Sequence, residues 1–296
     1  MELALKQLTD RDILLLKFLS KCDVLTNEQV GLLYGSKKKY HYNRLAELNR
    51  RGLIKRSGSY NEITLTGTTE IGSKLKPLKL LKDRQRDRKV KLTQVFLNLC
   101  NYGWDFLSSR EFKISHKLKM SAHVDGCLIK DDEKYAIYLL GSSPTRKNLS
   151  RIRAEINTLT LHQVNSAIVF YYTTKASESF KEVKNIKIPE LLLFKYPDEI
   201  DQIKNISTIK EGIASRMQDY THTDKRYADF EKGNQYISVL ILNDLVKKEQ
   251  LTNYLNYVAD KEYKEVSILT TKEQQEELLI QFPKAKQILS VPKFWS

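Results

Sequence analysis

Apolar positions in the first seventy residues recur at helical spacing, and each helical stretch opens on a capping residue. Thr9 precedes a first turn carrying Asp10 and Asp12, an arrangement suited to the positive end of a helix dipole. Ile13, Leu15, Leu16 and Leu19 form the inward stripe of that helix. Thr26-Asn27-Glu28-Gln29 spells a capping box and opens a short second helix through Val30, Leu33 and Tyr34, which Gly35 ends. Ser36 caps a third helix whose Leu45 and Leu48 face inward, with Gly52 as its stop. Leu53-Ile54-Lys55-Arg56 and Glu62-Ile63-Thr64-Leu65 then read as two short strands around a Gly58-Ser59 tip. Three capped helices followed by a hairpin predict a winged helix-turn-helix over residues 1–75.

Beyond it the pattern changes. Residues 76–91 are basic and charge-dense and predict either a solvated connector or the front of a helix. The apolar helical pattern resumes at Val90, Val95, Phe96 and Leu99. Residues 104–112, 122–129 and 135–140 predict strands, 146–161 a helix, 167–172 a strand, 178–184 a helix and 191–195 a strand. Helix, three strands, helix, strand is the order of an α/β sandwich whose last strand enters by a crossover. Residues 207–234 are polar and predict a loop-rich insert. A second strand–helix–strand–helix unit follows over 236–279 and is expected to extend the same sheet. The fold class is thus α+β: a winged helix at the N-terminus, then an α/β domain over 92–296.

Charge sharpens the picture by its placement. The net charge of the 296-residue chain is +14. Residues 1–91 hold 21 lysines and arginines against 10 acids, a net +11, while the remaining 205 residues carry only +3. A localised basic field favours a polyanionic partner through counterion release. The longest apolar runs, such as 13–16 and 191–194, fall far short of the ~20 residues of a membrane span, and Glu2, Lys6 and Asp10 interrupt any leader-like opening. Cys22, Cys100 and Cys127 are odd in number and widely spaced. They suit free thiols in a cytoplasmic protein and offer no zinc spacing.

The third helix carries the candidate chemistry. A recognition helix meets DNA through its N-terminal turns. Lys37, Lys38 and Lys39 are candidates for phosphates, with the amides of the helix start adding to them. Tyr40, Asn43 and Arg44 are candidates for base edges, since Asn and Arg pair bidentately with adenine and guanine. Tyr42 belongs to the same candidate face, whereas His41, four residues before Leu45, is expected to pack inward. Lys55, Arg56 and Ser59 place the hairpin at the backbone or minor groove.

The stretches Leu-Thr-Asp-Arg-Asp-Ile-Leu (8–14), Leu-Thr-Asn-Glu-Gln-Val (25–30) and Arg-Leu-Ala-Glu-Leu-Asn-Arg-Arg-Gly-Leu-Ile (44–54) resemble the winged helix of replication-relaxation proteins of plasmids and conjugative elements. Tyr102-Gly103-Trp104, Ser108-Ser109-Arg110-Glu111 and Val124-Asp125-Gly126 resemble parts of that family's second domain. The resemblance covers about the first two-thirds of the chain. It implies a restriction-endonuclease-like fold for the second domain and a role in plasmid replication, mobilisation or transcriptional control. Implied partners are double-stranded DNA, replication or transfer proteins and, for a two-fold site, a second copy of the chain.

A nuclease of that fold needs an acid at one strand end, then acid-x-Lys on the next strand to hold a metal and activate water. Asp125 fits the first position and Glu111 offers another carboxylate, but Lys134-Tyr135-Ala136-Ile137-Tyr138-Leu139-Leu140 lacks the second motif. The expectation is a nuclease-like scaffold without catalysis, metal or cofactor; metal-dependent nicking is the alternative. The histidines, at 41, 116, 123, 162 and 222, form no His-x-His pair, and no phosphate-binding P-loop occurs. Arg146, Lys147, Arg151 and Arg153 on the predicted helix suit a secondary DNA face and a solvated surface equally well.

Overall fold

Reciprocal caps fix the beginning of the chain. The Thr9 side chain accepts from Asp12 N at 3.3 Å while Asp12 Oδ2 accepts from Thr9 N at 2.8 Å, starting helix α1 (Asp10–Cys22). Thr26 and Gln29 repeat the device between strand β1 (Val24–Thr26) and helix α2 (Asn27–Tyr34). Helix α3 (Tyr40–Arg50), strands β2 (Ile54–Ser57) and β3 (Tyr60–Ile63) and helix α4 (Leu65–Glu70) follow. The computed structural model describes residues 7–35, 40–78, 82–182 and 186–291. The chain is mixed α+β with three sheets, and it divides into two compact units, Met1–Met120 and Ser121–Ser296.

In the first unit β3 lies between β1 and β2, antiparallel to both. Leu15, Leu16, Leu19, Leu25, Val30, Tyr34, Leu45, Leu48, Leu53, Ile54 and Ile63 form the core. The hydrophobic pattern predicts neither β1 nor α4. Gly67 of α4 is required by contact: a Cβ there would lie 2.1 Å from Leu53 O.

The first unit also extends past the expected boundary at residue 75. Helix α5 (Asp83–Cys100) begins inside the segment read as a connector. It packs on α2 and β1, with Gln29 Nε2 donating to Val90 O at 2.8 Å. Its Arg86 pairs with Glu62 and its Lys89 with Asp23. Strand β4 (Asp105–Ser108) is shorter than expected, because Ser108 and Glu111 form a capping box that starts helix α6 (Ser109–Ser115).

The second unit opens with hairpin β5 (Gly126–Lys130) and β6 (Glu133–Leu139). Helix α7 (Arg146–Ile156) leads to β7 (Ser166–Tyr171), and α8 (Thr174–Lys181) to β8 (Glu190–Lys195). β7 runs parallel to both β6 and β8. Ala167, Ile168, Val169 and Phe170 are all fully buried, as in a strand covered on both faces.

The segment expected to be an insert contains the rest of a second sheet. Helices α9 (Ile200–Lys204) and α10 (Ile206–Arg216) precede β9 (Thr221–His222), β10 (Phe230–Lys232) and β11 (Gln235–Val239). Helices α11 (Leu245–Tyr257) and α12 (Ala259–Glu262), strand β12 (Glu265–Thr271), helix α13 (Lys272–Gln281) and strand β13 (Gln287–Val291) complete the chain. Strands β9 to β13 form their own five-stranded sheet in sequence order, so residues 236–279 do not extend the earlier one. The physical reason is local: β10 pairs with β11 and occupies the edge such an extension would have used. Residues of β11 and the two that follow it alternate between two cores. Tyr236 and Leu240 face α11 and α13, while Ile237 and Ile241 face α10.

The two halves of this unit repeat one plan: an antiparallel hairpin followed by two helix crossovers to parallel strands. The repetition extends to single bonds. Asp125 N donates to Ile137 O, and Asp229 N to Ile237 O, both at 2.8 Å. Leu139 N donates to Asp125 Oδ2, and Val239 N to Asp229 Oδ2, both at 2.7 Å. The next amides, Leu140 N and Leu240 N, then reach Phe170 O and Leu269 O.

Candidate nucleic-acid interface

Helix α3 sorts its side chains by helical period. His41, Arg44, Leu45 and Leu48 are buried; Tyr40, Tyr42, Asn43, Ala46, Asn49 and Arg50 are exposed. The His41 ring takes the inward position expected of it and lies so close to α2 that a Cβ at Gly31 would sit 3.3 Å from it.

Arg44 corrects the expected set of base contacts. It is buried, and its guanidinium makes two hydrogen bonds to Asp12, Nε to Oδ1 at 3.2 Å and Nη2 to Oδ2. Tyr34 donates to Asp12 Oδ1 at 2.5 Å, and Thr9 Oγ1 to Oδ2 at 2.8 Å. Burial would raise the Asp12 pKa, but the bonds from Arg44, Tyr34 and Thr9 outweigh it and hold the carboxyl below its ordinary value. The bond to Asp12 raises the Arg44 pKa in turn. Arg44 ties α3 to α1 and α2; it orients the exposed face and is not part of it.

The exposed face consists of Tyr42 and Asn43 on the first turn, continued by Ala46, Asn49 and Arg50. Tyr40, 46% exposed, borders it, its ring centroid 6.2 Å from that of Tyr34. Asn49 and Arg50 were missed from the sequence, although they stand six and seven residues after Asn43 and the helical period carries the face to them. Asn49 Oδ1 accepts from Arg56 N at 3.2 Å and so holds β2 beside α3. Arg50 pairs with Glu47.

On the hairpin Lys55 and Ser59 are exposed. Arg56 is half-buried, and its Nε has no hydrogen-bond partner among the described residues. Ser59 O accepts from Asn27 N at 2.9 Å and anchors the hairpin tip to the start of α2. Lys37, Lys38 and Lys39 lie outside the described residues.

The two carboxylates considered for metal chemistry have backbone duties. Glu111 Oε2 accepts from Ser108 N at 2.9 Å as the reciprocal half of a cap, and Asp125 accepts from Leu139 N. The strand facing Asp125 presents Ile137 and Leu139, both buried. Among the described residues no group of three or more His, Cys, Asp or Glu side chains is placed to hold a metal ion. Nor is any helix there long and apolar enough to cross a membrane. Burial pushes the Cys22 and Cys127 thiols up to about 12, so both are protonated near neutrality.

Comparison with known protein families, with curated proteins and with solved structures gives no match to this chain.

Proposed function

We propose that the chain is a sequence-specific double-stranded DNA-binding protein whose first unit acts as a winged helix. The observation that carries this reading is the division of labour on α3. Its inward Arg44 is locked to Asp12, and the opposite face offers Tyr42, Asn43 and Asn49 beside a short hairpin bearing Lys55 and Arg56. The order helix–strand–helix–helix–hairpin, with β3 central, supports the winged-helix reading, and its N-terminal placement coincides with the concentration of positive charge. The resemblance to replication-relaxation proteins points to DNA of a plasmid or conjugative element as the target, and to replication, mobilisation or transcriptional control as the output. The unit beginning at Ser121 serves as a folded scaffold, its Asp125 and Glu155 engaged by backbone amides.

The test is binding of the full chain to fragments of such an element, with selection for a retained fragment and footprinting on it. Asn43→Ala is expected to weaken the retained site roughly ten- to hundredfold and leave mixed-sequence DNA unaffected. Equal weakening on every sequence, or no protected site at all, would sink the reading.

A further inference from the structure

Among the described residues, several cations of the first unit's helices are paired within the fold: Arg44 with Asp12, Arg86 with Glu62, Lys89 and Arg110 with Asp23. Helix α7 is different. It carries Arg146, Lys147, Arg151 and Arg153, and its one acid, Glu155, is turned away from them. Glu155 accepts from His123 N at 2.6 Å, Val124 N at 2.8 Å and Tyr138 OH at 3.1 Å.

Arg146, Leu149, Ser150 and Arg153 recur at helical spacing and form one stripe. They line a 560 Å³ groove closed on the other side by Ser179 and Glu182 of the α8 region, with Pro144 at its end. Arg153 is half-buried there, and its Nε has no hydrogen-bond partner among the described residues. Burial also lowers its pKa, with the field of Glu249 acting the other way. The Arg153 Nε has given up water without gaining an acceptor, which a ligand would supply. Two arginines and the Ser179 hydroxyl around one groove suit the tetrahedral oxygens of a phosphate, while the Ser150 hydroxyl donates to Arg146 O at 2.9 Å; the capped N-terminus of α7 adds its dipole.

We propose that the groove between α7 and α8 is a second DNA contact, with Arg146 and Arg153 gripping backbone phosphates and reading no sequence. This rests on the DNA-binding reading of the first unit. It gives the second unit a part in binding: to add affinity and fix register while α3 selects the site.

The test uses the full chain, a mixed-sequence duplex several helical turns long, and binding measured over a range of chloride concentrations. Arg146→Ala with Arg153→Ala removes two phosphate contacts and is expected to flatten the log–log salt slope by about 2. Lys147→Ala with Arg151→Ala removes the same charge outside the groove and should flatten it clearly less. Glu182→Gln, which takes the groove's own acid away, should tighten binding. Inorganic phosphate at matched ionic strength should displace the duplex no better than chloride does.

An unchanged slope in the arginine variant, while the wild type still binds, would overturn the groove and leave the first unit's role intact. Equal losses from the two double variants would replace the groove with a diffuse field. Displacement by inorganic phosphate beyond its ionic strength would make it a small-anion site. A wild type that binds no duplex at all would remove both readings together.

Discussion

The two halves of the second unit place an aspartate at the same point of the same plan, yet support it with opposite charges. Asp125 and Asp229 each precede a hairpin and accept the amide of the residue two beyond their opposite isoleucine. In the first half the crossover helix contributes an anion: Glu155 of α7 collects the amides of His123 and Val124 just ahead of Asp125. In the second half it contributes a cation: Lys247 of α11 donates to Asp229 Oδ1 at 2.6 Å and to Val239 O at 3.3 Å. The shared element is the aspartate's bond to the backbone, and the part that differs is the helix. An acid that recurs with the same two backbone hydrogen bonds in both halves is explained by the hairpin it closes, before any chemistry is invoked.

The comparison breaks most severely at Lys247. The Lys247 and Asp229 side chains are only 20% and 27% exposed, so removing the cation strands a largely desolvated anion. Lys247→Met is expected to cost about 2–3 kcal/mol, somewhat below the ~3–5 kcal/mol typical of a fully buried pair. Urea unfolding measures it. If Asp229→Asn combined with Lys247→Met does not recover part of the loss, the ion pair is not its source.

The junction of the halves gives the next effect. Asp244 is buried and caps α11, its Oδ1 accepting from Val246 N and Lys247 N and also from Leu191 N of β8. Burial raises its pKa to about 6 from 3.8, against the opposing field of Lys247. The folded state therefore binds this proton more tightly than the unfolded chain does. The associated stability is fully present below pH 3.8 and is lost as pH rises through about 6. Asp244→Asn keeps an oxygen for all three amides and cannot ionise. Its stability relative to wild type should rise between pH 4 and pH 7 by roughly 2–3 kcal/mol. A difference that stays flat with pH would show that Asp244 ionises in the fold as easily as in water.

Local signals made much of this legible in the sequence. Thr9 with Asp12 and Thr26 with Gln29 are caps spelled within four residues, and the structure uses both. Non-local partners were not legible. Asp12 lies 32 residues before Arg44; the spacing from His41 and to Leu48 places Arg44 on the inward stripe, but an arginine at the start of a basic helix reads as a DNA contact until the buried acid is seen. Strand β4 was overrun because the Ser108–Glu111 cap was read as part of a motif and not as a helix start. Ile209 and Ile213, four residues apart, stand within the polar segment and mark α10, which packs on the second sheet. The repeat itself left almost no trace, since the halves share backbone bonds far more than residues: Gly126 stands where Phe230 does.

The smallest expected effects separate the structural account of Asp125 from a catalytic one. Asp125→Ala leaves the buried Leu139 amide without its acceptor and should cost ~1–3 kcal/mol. Asp125→Asn keeps an oxygen at that position, so a loss under about 1 kcal/mol is expected, and DNA affinity and salt slope should match the wild type. A metal-bound carboxylate would behave in the opposite way, because asparagine preserves the hydrogen bond but removes the charge a divalent cation needs. Incubating supercoiled DNA with wild type and Asp125→Asn in magnesium tests this in one gel. Nicking by the wild type that disappears in the asparagine variant, at unchanged stability, would make Asp125 a catalytic acid and Asp229 its structural echo. Matching behaviour of the two proteins leaves both aspartates with the same task, closing a hairpin.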